Sequence, residues 1–156
     1  NSEVLMSKSI SAQRWLVESI LDLSLEKFLE FMAWVIENSH EKNFFVPKLE
    51  GYYRNVENFN AVFVFSSQDN SLHATARFVN GRMFVEPEAD KSWNVKIVFS
   101  DVNAFWKLML SSGDGIVEAM QANETQIFGN LNYLYKFGFL LKDLIFERLG
   151  VKPFDT

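Results

Sequence analysis

The chain has two histidines that could serve acid–base catalysis or metal binding, and their positions support neither of these roles. His40 and His73 lie far apart in sequence, no HExxH spacing joins them, and the chain has no cysteine to complete a zinc site. His40 follows a predicted helix, where an imidazolium favours the helix dipole, and His73 falls on the polar face of a predicted strand. We therefore interpret His40 as a helix cap and His73 as a cross-strand surface residue, and we predict no metal site.

The remaining patterns that could do chemistry are also weak. Gly113–Gly115 matches neither of the glycine-rich phosphate loops GxxxxGK[ST] and GxGxxG, so a helix-breaking turn is the better interpretation. There is no GxSxG nucleophile elbow. Asp101 and Asp114 each begin a predicted helix, where a carboxylate serves as an N-cap. The sequence thus predicts no catalytic residue, no cofactor and no enzyme.

Composition points to a single acidic domain with an unusually aromatic interior. Its 156 residues are 48% hydrophobic, with 16 Phe against 4 Trp and 4 Tyr. Phe buries a large area without a polar tip, so both a well-filled core and a lined cavity agree with this content. The net charge of −5 disfavours nucleic acid and anionic membranes as partners. We find no signal peptide and no stretch long enough to span a bilayer, so we expect no stable membrane insertion.

Hydrophobic periodicity predicts helices first, then strands, then helices around one more strand. Leu72–Val79 alternates apolar and polar residues, and Asn80-Gly81 after it is a strong hairpin signal. Ser24 is the expected N-cap of the helix Leu25–Asn38. The predicted strands are Asn60–Ser67, Leu72–Val79, Arg82–Glu86, Trp93–Ser100 and Thr125–Gly129. The predicted helices are Ser11–Leu21, Leu25–Asn38, Val102–Ser112, Ile116–Ala122 and Asn130–Gly150.

The last helix, Asn130–Gly150, is apolar around most of its circumference. One face carries Leu131, Leu134, Phe137, Gly138, Leu141, Leu144 and Ile145; Tyr133, Tyr135, Phe139, Leu140 and Phe146 widen it. An ordinary surface helix needs an apolar band of only about 100°. This helix must therefore bury a second face against another protein or an apolar ligand. Gly138 costs up to about 1 kcal/mol relative to Ala in mid-helix. Three explanations for this glycine remain open: close approach of the helix to the sheet or a ligand, a hinge in the helix, and chance tolerance.

The order and spacing of these elements resemble the sterol carrier protein type 2 family. The segments that carry the resemblance are ATARFVNG, NVKIVFSDVNAFWKLML and QIFGNLNYLYKF, and the similarity runs from about Leu25 to Leu149. It implies an α+β fold (an α/β sandwich) with a five-stranded, mainly antiparallel sheet covered on one face by helices. It also implies an apolar tunnel for fatty acids, acyl-CoAs, sterols or related lipids.

Several features depart from that family. The segment before Ser24 is extra, which divides the chain into an N-terminal helical extension (1–23), a lipid-binding domain (24–150) and a tail (151–156). Gln121–Gln126 lacks the lysines of many relatives, which argues against anionic headgroups such as acyl-CoA. Pro153–Thr156 is not a peroxisomal signal, and we expect a cytoplasmic protein.

The resemblance and the aromatic content together predict non-enzymatic binding or transfer of a lipid or fatty-acid-like apolar ligand. Burial gains about 0.8 kcal/mol per CH₂, so such binding needs no covalent step. The candidate ligand-binding residues are Phe63, Phe65, Phe78 and Phe128 from the sheet and Trp106, Met109, Met120, Phe137, Leu140, Leu141 and Leu144 from the helices. Each of them also fits a plain core. The alternatives are a protein-interaction module or homodimer with a collapsed cavity, and an enzyme or accessory subunit with an unrecognised site.

Overall fold

The structure is a computed structural model that describes residues 24–110 and 124–151. The predicted elements Ser11–Leu21 and Ile116–Ala122, the turn Gly113–Gly115 and the candidate Met120 lie outside the described residues. The described helices are α1 (Leu25–Asn38), α2 (Val102–Leu110) and α3 (Leu131–Lys142), which continues as a π-helical segment, Asp143–Arg148. The strands are β1 (Ala61–Ser67), β2 (His73–Val79), β3 (Arg82–Glu86), β4 (Val95–Phe99) and β5 (Thr125–Gly129). Two 3₁₀ turns, Pro47–Leu49 and Tyr52–Val56, connect α1 to β1.

The five strands form one mixed sheet in the order β3-β2-β1-β4-β5. β1 and β4 are parallel, and the other three neighbouring pairs are antiparallel. Asn80 and Gly81 form the tight turn between β2 and β3, both with positive φ (52° and 79°), which suits the twist of the two strands. The α+β fold with a mainly antiparallel five-stranded sheet is therefore confirmed.

One face of this sheet, the inner face, is apolar and carries the helices. α1 packs on β2 and β3, α2 on β4 and β5, and α3 on β4. The buried apolar side chains of β1, β2 and β4 on the inner face are Ala61, Phe63, Phe65, Ala74, Ala76, Phe78, Val95, Ile97 and Phe99. Because side chains alternate along a strand, the polar residues between them are directed to the other face.

That outer face is partly covered by the connection between β3 and β4, which crosses β2. The Thr75 hydroxyl donates to the Glu88 carbonyl (2.6 Å) and accepts from the Asp90 amide (3.0 Å). Arg77 forms an ion pair with Asp90. The Ser92 amide, and then the Arg77 guanidinium, hold the pKa of Asp90 below its usual range. These contacts explain why Thr75 is buried on the face opposite the helices.

Short polar side chains begin the three helices. Ser24 Oγ accepts from the Lys27 amide at the start of α1, at 3.3 Å. Asp101 Oδ1 accepts from the Ala104 amide at 2.8 Å, before α2. Asn130 Oδ1 accepts from the amide two residues on, at 2.8 Å, and begins α3. The caps predicted at Ser24 and Asp101 are confirmed.

Candidate functional site

Four of the predicted site residues meet in one aromatic cluster between the sheet and α3. Phe63, Phe65 and Phe78 project from β1 and β2, and Phe137 faces them from α3. The Phe137 ring lies 4.8 Å from Phe63, 5.5 Å from Phe65 and 6.2 Å from Phe78, measured between ring centroids. All four side chains are fully buried. The fold thus brings together phenylalanines from distant parts of the sequence into one apolar wall.

One end of this wall is filled by further rings. Phe59, which precedes β1, lies 5.1 Å from Phe78 and 6.0 Å from Phe63. Tyr133 of α3 packs against Phe59 at 6.0 Å, and Lys136 Nζ lies over the same ring. Aromatic pairs at these separations are in direct contact. This end of the interior is therefore packed solid.

The other end of the wall is formed by α2. Phe105 meets Phe65 edge to face at 5.4 Å and also contacts Phe99 at 5.6 Å. Trp106 is half-buried and packs edge to face on Phe28 of α1, at 4.8 Å. Trp106 was among the predicted site residues, whereas Phe105 and Phe28 were not. Since the direction of a side chain around α2 depends on tertiary packing, the spacing alone did not reveal that Phe105 joins the sheet wall.

Helices α2 and α3 cross at Gly138. A Cβ placed on Gly138 would lie 3.8 Å from Met109 Cε and 4.0 Å from the Met109 carbonyl oxygen, which are ordinary contact distances. Close approach of the backbones therefore does not require glycine at this position. The predicted residues Leu140, Leu141 and Leu144 are fully buried on α3 and on the π-helical segment that follows.

Phe128 lies on the outer face of the sheet, so its predicted inward placement was wrong. It pairs with Lys96 of β4, whose neighbours Val95 and Ile97 face inward, and it is 46% exposed. The strand ends at Gly129 (φ 108°), where a Cβ would lie 2.1 Å from the Asn94 carbonyl oxygen. The register with β4 thus decides which residues of β5 point inward, and these are Thr125 and Ile127.

The described interior carries no charge. Among residues 24–110 and 124–151, the buried polar side chains are Ser39, Ser66, Ser67, Thr75 and Thr125. Lys, Arg, Asp and Glu side chains of this part of the chain all reach the surface to some extent. The interior therefore suits an apolar guest, and an ionised group inside it would lack a counter-charge.

An apolar stripe on α3 remains exposed. Leu131, Tyr135 and Phe139 follow one another at four-residue spacing, and they are 41%, 52% and 52% exposed. The sequence predicted that a second face of this helix needs a partner, but it placed Leu131 on the first face, which was wrong because Leu131 is exposed beside Tyr135. Within the described structure Lys136 Nζ lies over the Phe139 ring, and the stripe remains largely exposed. No helix of the described chain is both long and apolar enough to cross a bilayer.

The two histidines belong to polar contacts on the surface. His73 Nδ1 lies 3.1 Å from the Ser66 hydroxyl of the neighbouring strand, which confirms its cross-strand role. No carboxylate of the described residues hydrogen-bonds to His73. The Ser66–His73 pair therefore lacks the acidic residue that would complete a Ser-His-Asp triad. Among the described residues, no group of three or more His, Cys, Asp or Glu side chains is suited to a metal ion.

His40 lies in a polar cleft beside the β2–β3 turn. Its ring stacks on Tyr53, with centroids 3.7 Å apart. The end of α1 is capped by the Ser39 amide, which donates to the Val35 carbonyl at 2.8 Å. The cleft has a volume of about 450 Å³ and is lined by Glu37, His40, Tyr53, Glu57, Asn80, Gly81 and Arg82. Two of these side chains, Arg82 and Glu37, neutralise each other in an exposed ion pair.

Comparison with known proteins finds similarity in structure only. No protein-family model matches the chain. No curated protein sequence matches it significantly either.

Solved structures with the same architecture do match. One is described as "UbiJ-SCP2 Ubiquinone synthesis protein"; it has a TM-score of 0.51 and 13% identity over 74% of this chain and 92% of that one. A variant of the sec-alkyl sulfatase PisA1 has a TM-score of 0.53 and 9% identity over 76% of this chain, but the match spans 16% of that enzyme. The sterol carrier protein domain 2 of Helicoverpa armigera matches with a TM-score of 0.44 and 14% identity, over 81% of this chain and 91% of that one. At these identities the first comparison shows the fold, which is that of sterol carrier protein type 2.

Proposed function

We propose that this protein binds a single lipid or other apolar molecule between its sheet and its helices, without chemical turnover. The observation that carries the proposal is the apolar wall formed by Phe63, Phe65 and Phe78 with Phe137, in an interior whose described residues bury no charge. The shared fold supports it, because one structural neighbour is described as a ubiquinone synthesis protein. Ubiquinone is itself a largely apolar molecule.

One flexible side chain favours one region for the ligand. Aromatic rings are in contact at both ends of the wall, but at the α2 end a methionine packs among them. Met109 lies there, at the crossing with Gly138. A thioether side chain adapts readily to ligands of different shape. We therefore place the ligand beside α2, next to Phe65 and Phe105.

Apolar contact alone supplies enough free energy for such binding. A chain of about 14 methylene groups gains about 11 kcal/mol on leaving water, at about 0.8 kcal/mol per group. Association and ordering oppose this by an amount of similar order, and the surplus sets the affinity. The burial of apolar surface is thus large enough to offset the cost of association without a charge pair or a covalent bond.

The direct test is a displacement titration on protein that has first been stripped of lipid by organic extraction. An environment-sensitive fluorescent alkyl probe should bind saturably, and unlabelled long-chain lipids should compete for it. Mass spectrometry before and after extraction should find a co-purifying apolar molecule, and added lipid should be recovered unaltered after long incubation. The absence of saturable binding by stripped, folded protein would contradict the proposal.

Homodimerisation is the second candidate function, and the exposed stripe on α3 favours it. Two antiparallel copies of α3 related by a two-fold axis at Tyr135 would place Leu131 of one against Phe139 of the other. Such an arrangement is self-complementary, as a two-fold interface requires. Sedimentation velocity should then show a dimer that Tyr135→Glu dissociates. A monomer at tens of micromolar protein would exclude this function.

A further inference from the structure

Thr125 presents a buried hydroxyl that has no hydrogen-bond partner. The side chain is 1% exposed, and its Oγ1 atom makes no hydrogen bond in the structure. The other buried polar side chains of the described residues are all paired, Ser39 with the Ile36 carbonyl, Ser66 with His73, Ser67 with Asp69 and Thr75 with Glu88. Because the large majority of buried polar side-chain atoms are hydrogen-bonded, this orphaned hydroxyl requires an explanation.

The surroundings of Thr125 place its hydroxyl in the proposed ligand region. Thr125 lies on the inner face of β5, directly opposite Phe99 of β4. Phe105 of α2 packs on Phe99, and α2 contacts both β4 and β5. Ile127, the next inward residue of β5, packs against the core. Among the described residues, the Thr125 hydroxyl is therefore a lone unpaired polar group on a largely apolar face of the sheet.

The electrostatics beside Thr125 restrict what such a hydroxyl can hold. Its sequence neighbours in the described chain, Glu124 and Gln126, carry no positive charge, and the described interior buries no Lys or Arg. An ionised carboxylate or phosphate would lose its hydration there without a counter-ion. A neutral oxygen loses much less and needs only one hydrogen bond.

We propose that Thr125 is a polar anchor inside the ligand site, whose hydroxyl hydrogen-bonds the uncharged oxygen of a neutral lipid. This inference rests on the proposed lipid-binding function and specifies its ligand class. Long-chain alcohols, ketones, quinones and esters fit, because the hydroxyl donates to a carbonyl and both donates to and accepts from an alcohol. Ionised fatty acids are the disfavoured class.

The test compares the binding of two probes of nearly equal shape to the wild type, Thr125→Val and Thr125→Ser. Hexadecanol forms hydrogen bonds through its end group, and chlorohexadecane does not do so appreciably. Thr125→Val removes the hydroxyl and keeps the shape of the side chain, whereas Thr125→Ser keeps the hydroxyl. Displacement titrations should show that Thr125→Val weakens hexadecanol binding about threefold to tenfold, the range expected for one neutral hydrogen bond. Chlorohexadecane binding should change less than twofold, and Thr125→Ser should retain the preference for hexadecanol.

Two further readouts separate the anchor from a structural role. Thermal unfolding of the ligand-free proteins should show Thr125→Val at least as stable as the wild type, because the substitution removes an unpaired buried polar atom. Palmitate at pH 8 should bind the wild type at least tenfold more weakly than hexadecanol. Equal effects of Thr125→Val on both neutral probes, or on neither, would overturn the anchor while leaving lipid binding intact. Failure of every probe to bind the wild type would instead refute the proposed function.

Discussion

The Tyr52 hydroxyl donates a hydrogen bond of 2.7 Å to the backbone carbonyl of Leu140, a residue 88 positions later in the chain. The same carbonyl accepts from the Asp143 amide, where α3 gives way to the π-helical segment. Arg148 at the end of that segment pairs with Asp143 at 2.8 Å and donates to the carbonyls of Lys48 (3.1 Å) and Glu50 (2.9 Å). One end of α3 is thus fixed to the turns that precede β1, by a buried hydrogen bond from Tyr52 and by the contacts of Arg148 nearer the surface.

Replacing Tyr52 by Phe should destabilise the fold by about 0.5–1.5 kcal/mol, because the hydrogen bond is lost while the Leu140 carbonyl keeps the Asp143 amide as a donor. Urea unfolding of the wild type and Tyr52→Phe would measure the difference. Tyr135→Phe is the matched control, since Tyr135 is 52% exposed and should tolerate the change within about 0.5 kcal/mol. Equal stability of Tyr52→Phe and the wild type would show that the hydrogen bond does not hold α3.

Stability should fall at alkaline pH because of the same residue. Burial, and then the negative charge of Asp143, raise the pKa of Tyr52 far above its ordinary value. In the unfolded chain Tyr52 ionises near pH 10, whereas in the folded state it keeps its proton. The folded state therefore binds more protons above about pH 10, and its stability falls as the pH rises further. Urea titrations from pH 9 to 11 should show the advantage of the wild type over Tyr52→Phe shrinking above pH 10; a constant difference would contradict this.

Gly138→Ala should stabilise the protein by up to about 1 kcal/mol. The added methyl group would lie at ordinary contact distance from Met109, and alanine favours the helix by about that amount. Thermal unfolding of the lipid-free protein is the measurement. A loss of stability would mean that α2 and α3 approach more closely in solution than in the structure, and it would restore a steric reason for glycine.

Leu141→Trp should block lipid uptake while the domain stays folded. Leu141 is fully buried on α3, and the larger side chain would occupy space that the ligand otherwise fills. In a solid core the same change would overpack the interior and cost about 1–3 kcal/mol. Phe139→Trp, on the exposed stripe of the same helix, is the control and should leave uptake unchanged. Strong destabilisation by Leu141→Trp, with uptake preserved in the folded fraction, would contradict a ligand at this position.

Local signals predicted the elements of this fold well. Ser24 and Asp101 each accept a hydrogen bond from the backbone amide three residues later, and Asn80-Gly81 forms a turn through its own backbone geometry. Each of these signals can be recognised without knowledge of the fold. The inward placement of Phe63, Phe65 and Phe78 follows in the same way from alternation along single strands. The order of these elements then sufficed to predict the fold.

Features that depend on long-range pairing were not predictable from one sequence. The face on which Phe128 lies is set by its register with Lys96, and a shift of one residue would reverse it. Tyr52 gave no local sign that its hydroxyl reaches Leu140. Thr125 was assigned only to a strand, because its missing partner becomes visible when the inner face is assembled. The roles of the candidate ligand residues stay predictions until binding is measured.

The most direct measurement is paramagnetic relaxation enhancement of methyl groups by a long-chain alcohol that carries a nitroxide on its alkyl chain. Added to stripped protein, this ligand should saturate at one equivalent and broaden the methyl signals of Met109, Leu141 and Leu144. The methyl groups of Leu131, on the exposed stripe, should remain sharp. Broadening confined to Leu131, or broadening that grows without saturation, would contradict a ligand between the sheet and the helices.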